Sequence, residues 1–136
     1  MIGRYIIFAD DDDDDLELIT SYFKEFEPAI TILPFRNGKD VIKFLDSSSS
    51  KGEPLPVLVV MDINMPRLDG MTTLATIREN DTYKDVSVVI YTTSMNKNNM
   101  QVCKDMDATW LIKPSSVQQI RETARILAEF CNLQKS

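Results

Sequence analysis

Short apolar runs that do not alternate with polar residues constrain the fold of this chain more than any other feature. "YIIFA" at residues 5–9, "VLVVM" at 57–61 and "VSVVIY" at 86–91 are almost wholly apolar. Strands that carry apolar side chains on both faces are typical of a parallel sheet covered by helices on both sides. The runs therefore predict an α/β fold built on a doubly wound parallel sheet.

The segments between these runs carry apolar residues at helical spacing, so five strands are expected to alternate with five helices. The predicted strands cover residues 5–9, 30–35, 57–61, 86–91 and 109–112. The apolar positions that mark the five helices are, in order, Leu16, Ile19, Phe23 and Phe26 for the first; Val41, Ile42 and Leu45 for the second; Leu74 and Ile77 for the third; Met100, Cys103 and Met106 for the fourth; and Val117, Ile120, Ala124, Leu127 and Cys131 for the fifth. Ser116 and Gln119 form a capping box that opens the last helix. Residues 46–56, "DSSSSKGEPLP", are expected to form a flexible surface loop.

The size and charge of the chain limit its classes of function. With 136 residues, of which 43% are hydrophobic, we expect one domain over residues 1–136 with a core from about residue 4 to residue 133. The net charge of −6, with scattered Lys and Arg, argues against nucleic acid as a direct partner. No apolar run approaches the roughly 20 residues that span a bilayer, and no signal peptide is evident, which predicts a cytoplasmic protein without membrane contact.

The chain contains no histidine and only two cysteines. The absence of histidine removes Ser-His and Cys-His catalysis and most zinc sites. Cys103 and Cys131 occupy apolar helix positions, so we interpret them as core thiols. Any phosphohistidine used by this protein must belong to another molecule.

Six consecutive aspartates, residues 10–15, follow the first apolar run. Asp10 and Asp11 end the predicted strand and are expected to face a crevice. The next four begin the first helix, where carboxylates cap free N–H groups and interact favourably with the helix dipole. We therefore assign residues 12–15 to helix capping, and leave open a second role for one or two of them in bonding metal-bound water.

Polar residues follow several of the predicted strands at their carboxyl ends, where doubly wound sheets bind ligands. They are Asp10, Asp11, Asp62, Thr92, Thr93 and Lys113. Three carboxylates gathered in a crevice favour a hard divalent cation, Mg²⁺ or Mn²⁺, over zinc or copper. A carboxylate beside such an ion can attack a phosphoryl group while a lysine and a hydroxyl contact the transferred oxygens.

Four motifs, "IIFADDDDDDLEL", "VVMDINMPRLDG", "VIYTTS" and "LIKP", occur in an order and spacing that resemble the receiver domain of two-component response regulators. The resemblance covers nearly the whole chain. It implies a flavodoxin-like (βα)5 fold with strand order 2-1-3-4-5. It also implies a phosphoacceptor, and not an enzyme, which receives its phosphoryl group from a sensor histidine kinase or a histidine phosphotransfer protein.

The resemblance also implies a role for each residue of the predicted site. Asp62 would accept the phosphoryl group. Asp11 and Asp62 would bind the metal by their side chains, Asp10 would hold metal or water, and the backbone carbonyl of Asn64 would be a further ligand. Thr92 would bond the phosphoryl oxygen, and Lys113, held by a cis peptide bond to Pro114, would pair with the same oxygen. Trp110 falls at the aromatic switch position, and strand alternation puts it on the opposite face from Lys113. The face of the fourth helix, fifth strand and fifth helix would bind a protein target or a second copy.

Two departures from the family pattern affect the segment around the fourth helix. Asp107-Ala108 stands where the family often has Gly-Ala, and residues 92–113 are about one residue short. The resemblance is therefore weakest over the fourth helix and its flanking loops. The last helix ends near the end of this chain, which predicts a stand-alone receiver that acts through protein contact.

Two other classes of protein share part of the pattern. A haloacid-dehalogenase-like phosphatase would use Asp10 as nucleophile and Asp12 as acid, but it needs an acidic pair after Lys113, where only Glu122 and Glu129 remain. An EF-hand loop starting at residue 10 would need Gly at its sixth place and Glu at its twelfth, and this chain has Asp15 and Ser21 there. A receiver-like binding module without phosphorylation is a further alternative, although the residues for phosphorylation are present.

Overall fold

The computed structural model describes residues 3–133, which form a five-stranded parallel sheet with helices on both faces. The strand order is β2-β1-β3-β4-β5, so the predicted doubly wound fold and its order are confirmed. The elements are β1 (Tyr5–Ala9), α1 (Asp13–Phe26), β2 (Thr31–Phe35), α2 (Gly38–Ser50), β3 (Leu58–Met61), α3 (Gly70–Glu79), β4 (Val88–Thr92), α4 (Lys97–Asp105), β5 (Thr109–Ile112) and α5 (Val117–Leu133).

The sheet separates two hydrophobic cores, because neighbouring residues of a strand point to opposite faces. In β1, Ile7 packs in the core that lies beneath α2, α3 and α4. Ile6 and Phe8 pack in the other core, beneath α1 and α5. All five residues of β1 are buried, which explains why its sequence is apolar without alternation.

The bounds of β1 and β5 are as predicted, and those of β2, β3 and β4 differ from the predicted ones by one or two residues. β3 begins at Leu58, and β4 runs over Val88–Thr92, which places Thr92 inside the sheet. β2 lies at one edge of the sheet and contains Pro34. Proline is tolerated there because an edge strand does not need every N–H for pairing.

The prediction of a loop over residues 46–56 is wrong for residues 46–50, which belong to α2. Leu45 and Ser48 are buried on the inner face of this helix. The Tyr83 hydroxyl donates a hydrogen bond to Asp46 Oδ1 at 2.6 Å and ties the same turn to the loop before β4. These contacts outweigh the modest helix propensity of the serines, which had suggested a loop.

The fourth helix is the shortest one among residues 3–133. Met106 lies just beyond it as the C-cap, and Asp107 follows with φ at 55°. Glycine is favoured in this left-handed region, and Asp is one of the few other residues that enter it readily. Asp107 thus takes a conformation that glycine favours, at a position where the resemblance leads us to expect Gly.

Part of the predicted capping box of α5 is confirmed, because Ser116 Oγ accepts a hydrogen bond from the Gln119 N–H at 3.2 Å. None of the helices within the described residues is long and apolar enough to cross a membrane.

Candidate functional site

Asp10 and Asp11 follow β1 directly and lie in different environments. Asp10 is fully buried, and its backbone N–H donates to the Phe35 carbonyl at 3.0 Å, which continues the β1–β2 ladder. Its Oδ1 accepts a hydrogen bond from the Asp12 N–H at 2.9 Å. Asp11 is exposed at the mouth of the crevice.

Asp62 follows β3, and its backbone N–H donates to the Ala9 carbonyl at 3.0 Å. The ends of β1 and β3 therefore lie side by side. One carboxylate oxygen from each of Asp10, Asp11 and Asp62 lies within 4.8 Å of the other two. The predicted gathering of three carboxylates is confirmed, and one small cation bound between them fits this all-oxygen set.

Lys113 follows β5 and extends its ammonium group into the carboxylate cluster. Nζ lies 2.6 Å from Asp10 Oδ2, 2.9 Å from Asp62 Oδ2 and 3.0 Å from Asp15 Oδ2. The backbone N–H of Lys113 donates to the Thr92 carbonyl at 2.8 Å and holds the end of β5 against β4. The side chain is only 8% exposed, so Lys113 belongs to the crevice and not to the solvated surface.

Burial and ion pairing act in opposite directions on these groups. Burial raises the pKa of Asp10 above its ordinary value, although hydrogen bonds from Lys113 and Asp12 lower it in part. Burial alone would lower the pKa of Lys113, but hydrogen bonds to Asp10, Asp62 and Asp15 outweigh it and raise that pKa. The lysine therefore stays a cation, and a further positive charge would favour the ionised form of Asp10.

The expected cis peptide bond between Lys113 and Pro114 is not present, because every peptide bond within residues 3–133 is trans. The trans form is the ordinary preference of a bond before proline, by roughly 0.5–1 kcal/mol. Lys113 contacts Asp10 and Asp62 although its peptide bond to Pro114 is trans, so these contacts do not require the cis form.

The loop after Asp62 is closed by a glycine that sequence reasoning did not single out. The Gly70 N–H donates to the Ile63 carbonyl at 2.9 Å. A Cβ on Gly70 would lie 2.3 Å from the Asp62 carbonyl oxygen, so a larger residue would push the backbone of Asp62 out of place. Asn64 is exposed, and its N–H donates to Asp62 Oδ1 at 3.3 Å. Its carbonyl as a metal ligand remains a prediction.

Comparison with known proteins identifies the family. A sequence model of the response regulator receiver domain matches residues 6–125, which is most of the chain. The chain belongs to the response regulator receiver domain family. Its function is therefore that of a phosphoacceptor in signalling.

Relatives of this receiver domain include the "Probable methanogenesis regulatory protein FilR2" of Methanothrix harundinacea, which is 25% identical over 92% of this chain and 81% of its own. Response regulator Rcp1 of Synechocystis sp. is 29% identical over 71% of this chain and 67% of its own. A crystal structure of Mn²⁺-bound Rcp1 matches with a TM-score of 0.84 at 24% identity, covering 94% of both chains. The phosphorylated cyanobacterial phytochrome response regulator RcpA matches with a TM-score of 0.87 at 22% identity, covering 98% of this chain and 97% of its own. Both structures share the fold of this receiver domain.

The phosphatase alternative finds no support in these matches or in the geometry. Asp10, its nucleophile, is fully buried with Oδ2 bound to Lys113. Asp12, its acid, is the N-cap of α1, and its side chain accepts hydrogen bonds from the N–H groups of Asp14 and Asp15.

The predicted switch residues of the receiver domain, Thr92 and Trp110, lie in β4 and β5. Thr92 is fully buried at the end of β4, and its Oγ1 accepts a hydrogen bond from the Ser94 N–H at 3.3 Å, whereas Thr93 is exposed. Trp110 packs against the core beneath α2, α3 and α4. Lys113 lies over the ring of Tyr91, which belongs to the other core. The predicted separation of Trp110 and Lys113 to opposite faces is confirmed.

Two contacts of Lys113 were missed by sequence reasoning. Tyr91 lies beneath the ammonium, 5.7 Å from Nζ to the ring centroid, and burial raises the pKa of its phenol to about 12. Asp15 was assigned to helix capping, and its contact with Lys113 was not predicted. The position of Asp15 in the sequence could have indicated this contact. Asp15 is the third helical residue, and side chains at that position point back toward the N-cap and the strand before it.

Proposed function

We propose that Asp62 accepts a phosphoryl group from a phosphohistidine on a sensor histidine kinase or a histidine phosphotransfer protein. The observation that carries this proposal is the Lys113 ammonium, which bridges Asp62 Oδ2 and Asp10 Oδ2 at 2.9 Å and 2.6 Å beside a cluster of three carboxylates. The cluster provides a nucleophile, a fixed cation and oxygen ligands in one crevice.

In this reaction an Asp62 carboxylate oxygen attacks the phosphorus of the donor. The P–N bond breaks as the new P–O bond forms, and the electron pair of the broken bond stays on the donor imidazole, which takes up a proton. Lys113 balances charge on the transferred oxygens, and the hydroxyl of Thr92 donates to one of them. This receiver domain acts on its own carboxylate and is not a turnover enzyme.

We propose Mg²⁺ as the cation, with Mn²⁺ as a substitute of similar ligand preference. Asp11 and Asp62 would bind it directly, Asp10 would hold metal or water beside it, and the Asn64 carbonyl would complete the protein ligands. The bound ion would neutralise charge on the phosphoryl oxygens. Rcp1 is a relative whose structure contains Mn²⁺.

Phosphorylation adds negative charge to the crevice and favours one of two conformations, so that a partner binds one state better. We propose that the responding surface is the face of α4, β5 and α5. Apolar side chains are exposed along it, among them Ile112 after Trp110 in β5 and Val117 at the start of α5, which are 40% and 56% exposed. A groove of about 480 Å³ beside Trp110 continues the same face. The occupant is a protein target or a second copy of this chain.

Intact mass spectrometry tests the phosphoacceptor. With Mg²⁺ and a small phosphodonor such as acetyl phosphate, the wild type should acquire one phosphoryl group that is stable in acid and labile in base. Asp62→Ala should acquire none, and Asp14→Ala should label like the wild type, because Asp14 makes no side-chain contact with Lys113. Undiminished labelling of Asp62→Ala would contradict the assignment and return Asp10 as the candidate nucleophile.

Analytical ultracentrifugation tests the responding surface. If a second copy is the occupant, the phosphorylated protein should dimerise at lower concentration than the unphosphorylated one, and Ile112→Lys should abolish the difference. If both forms stay monomeric, the occupant is another protein, and a pull-down that compares both forms will identify it.

A further inference from the structure

Lys113 has three N–H donors, and all three have carboxylate acceptors. Asp10, Asp62 and Asp15 lie 2.6, 2.9 and 3.0 Å from Nζ. An ammonium group has no further donor to offer. Once one Asp62 oxygen carries the phosphoryl group, the other stays attached to the same carbon beside Nζ. A phosphoryl oxygen that pairs with Lys113 therefore competes with Asp10 or Asp15 for a donor.

The three acceptors differ in exposure and in their role. The side chains of Asp10 and Asp62 are 1% and 10% exposed, whereas that of Asp15 is 47% exposed. Releasing Asp10 would leave a buried carboxylate without its cation, which carries a large desolvation penalty. Releasing Asp15 returns a carboxylate to water at the first turn of α1, where the helix terminus still favours a negative charge.

We propose that Asp15 is a positioning residue that holds Lys113 in the unphosphorylated receiver domain and releases it when a phosphoryl group arrives. The inference rests on the proposed function, because it takes Asp62 as the acceptor. It assigns to one residue of the acidic run a role that helix capping does not require. The capping bonds of α1 come from Asp12, and the Asp15 side chain is not part of them.

Other contacts keep Lys113 in the crevice when Asp15 is released. Asp10 stays bound to Nζ from the buried side, and the Tyr91 ring lies beneath the ammonium. Asp15 therefore competes with the phosphoryl group without being needed to orient the lysine. Its removal should favour the phosphorylated state over the unphosphorylated one.

Binding of a phosphoryl mimic measures this competition directly. The dissociation constant of beryllofluoride, at saturating Mg²⁺, is determined by isothermal titration calorimetry for the wild type, Asp15→Asn, Asp14→Asn and Asp15→Glu. Asp14→Asn is the matched control, because it removes the same charge one residue away in the same helix turn. The Asp14 carboxylate makes no hydrogen bond or ion pair with any residue from 3 to 133.

Asp15→Asn should bind the mimic about threefold to tenfold more tightly than the wild type, as expected for the loss of one partly exposed ionic competitor. Asp14→Asn should change the constant by less than about twofold, and by less still in 1 M salt, where exposed charges are screened beyond roughly 3 Å. Asp15→Glu should restore a constant near that of the wild type. The half-life of phosphorylated Asp15→Asn should be longer than that of the wild type in the same buffer.

Several outcomes would overturn the inference. Equal effects of Asp15→Asn and Asp14→Asn would mean that the acidic run acts only as a diffuse negative field. Weaker mimic binding by Asp15→Asn would mean that Asp15 orients Lys113 for the phosphoryl group and does not compete with it. If the wild type binds no mimic with Mg²⁺, the proposed function fails and this inference fails with it.

Discussion

Asp10 and Asp11 are neighbours of the same residue type, yet the fold gives them different environments. Asp10 is fully buried and bound to Lys113, whereas Asp11 is exposed at the mouth of the crevice. The difference arises because Asp10 still continues the β1–β2 ladder through its N–H, whereas Asp11 lies one residue farther out, at the mouth of the crevice. The residue type alone, the same at each position of the acidic run, therefore does not determine the environment or the role of each aspartate.

The different environments of the aspartates should give them different contributions to metal binding. If Asp11 binds Mg²⁺ directly, Asp11→Asn should weaken Mg²⁺ binding by about tenfold or more. Asp13→Asn should weaken it much less, because Asp13 pairs with Arg36 on the surface and makes no contact with the cluster. Calorimetric titration with Mg²⁺ on both variants decides between them. Similar losses would show that the run attracts the cation only through its total charge.

The left-handed backbone conformation of Asp107 should affect the stability of the protein. Its φ of 55° is strained for a residue with a Cβ, so Asp107→Gly should raise the free energy of unfolding by about 0.5 to 1 kcal/mol. Asp107→Ala should lower the free energy of unfolding, because alanine keeps the Cβ and lacks the polar side chain that helps Asp adopt this conformation. Urea denaturation of the three proteins checks the order. An alanine variant as stable as the glycine variant would contradict the explanation.

At the scale of elements, β5 joins the phosphorylation crevice to the proposed partner surface. Lys113 follows this strand on the side of the α1–α5 core, and Trp110 packs on the side of α4. Trp110 Nε1 is buried without a hydrogen-bond partner among residues 3–133. A buried N–H without an acceptor is costly, so a rearrangement that provides one would be favourable.

The fluorescence of Trp110 should therefore report the state of the crevice. We predict that beryllofluoride with Mg²⁺ changes the fluorescence of this single tryptophan beyond the effect of Mg²⁺ alone. The change should vanish in Asp62→Ala, shrink in Thr92→Ala and persist in Thr93→Ala, since Thr93 is exposed and Thr92 is buried. If the mimic binds and the fluorescence stays constant, Trp110 is a static packing residue.

The loop before β4 and the turn before β5 are joined by one side chain, Arg78. Its guanidinium donates to the carbonyls of Lys84, Val86 and Met106, each at 2.7 Å, and to that of Asp107 at 3.2 Å. These carbonyls would otherwise lack partners in a partly buried position. Arg78 thereby anchors the short α4 segment at the end of the sheet away from the crevice.

At the scale of the whole molecule, the two cores on either side of the sheet each enclose one thiol. Cys103 lies beneath α4 and Cys131 beneath α5, and both are fully buried. Burial raises the pKa of each thiol from 9.0 to about 11. The folded state therefore keeps protons that the unfolded chain releases above pH 9.

This proton difference makes stability depend on pH in a defined direction. The contribution of the thiols is fully present below pH 9 and is lost as the pH rises through about 11. The free energy of unfolding should fall in that window by about 1.4 kcal/mol per pH unit for each thiol. Urea denaturation at pH 8, 9, 10 and 11 measures the slope. The double variant Cys103→Ala, Cys131→Ala should show a smaller slope, and an unchanged slope would assign it to other groups.

The sequence alone determined the fold class and most of the cluster. Apolar runs without alternation require a sheet buried on both faces, and parallel strands bring their carboxyl ends to one edge. The sequence therefore predicts one cluster from the residues that follow β1, β3 and β5, which are Asp10, Asp11, Asp62 and Lys113. Helical spacing likewise located all five helices, because the apolar face of each must meet the sheet.

Only the tertiary structure decided the features that depend on contacts between distant segments. The serines after Leu45 are helical because Ser48 is buried and Tyr83 holds Asp46, which no local propensity indicates. The closure of the loop after Asp62 depends on the close approach of Gly70. Asp15 contacts Lys113 across 98 residues of sequence, and Asp14 does not. Local patterns determine where strands and helices form, but the partners of a side chain depend on packing, because a shift of one residue turns it to another face.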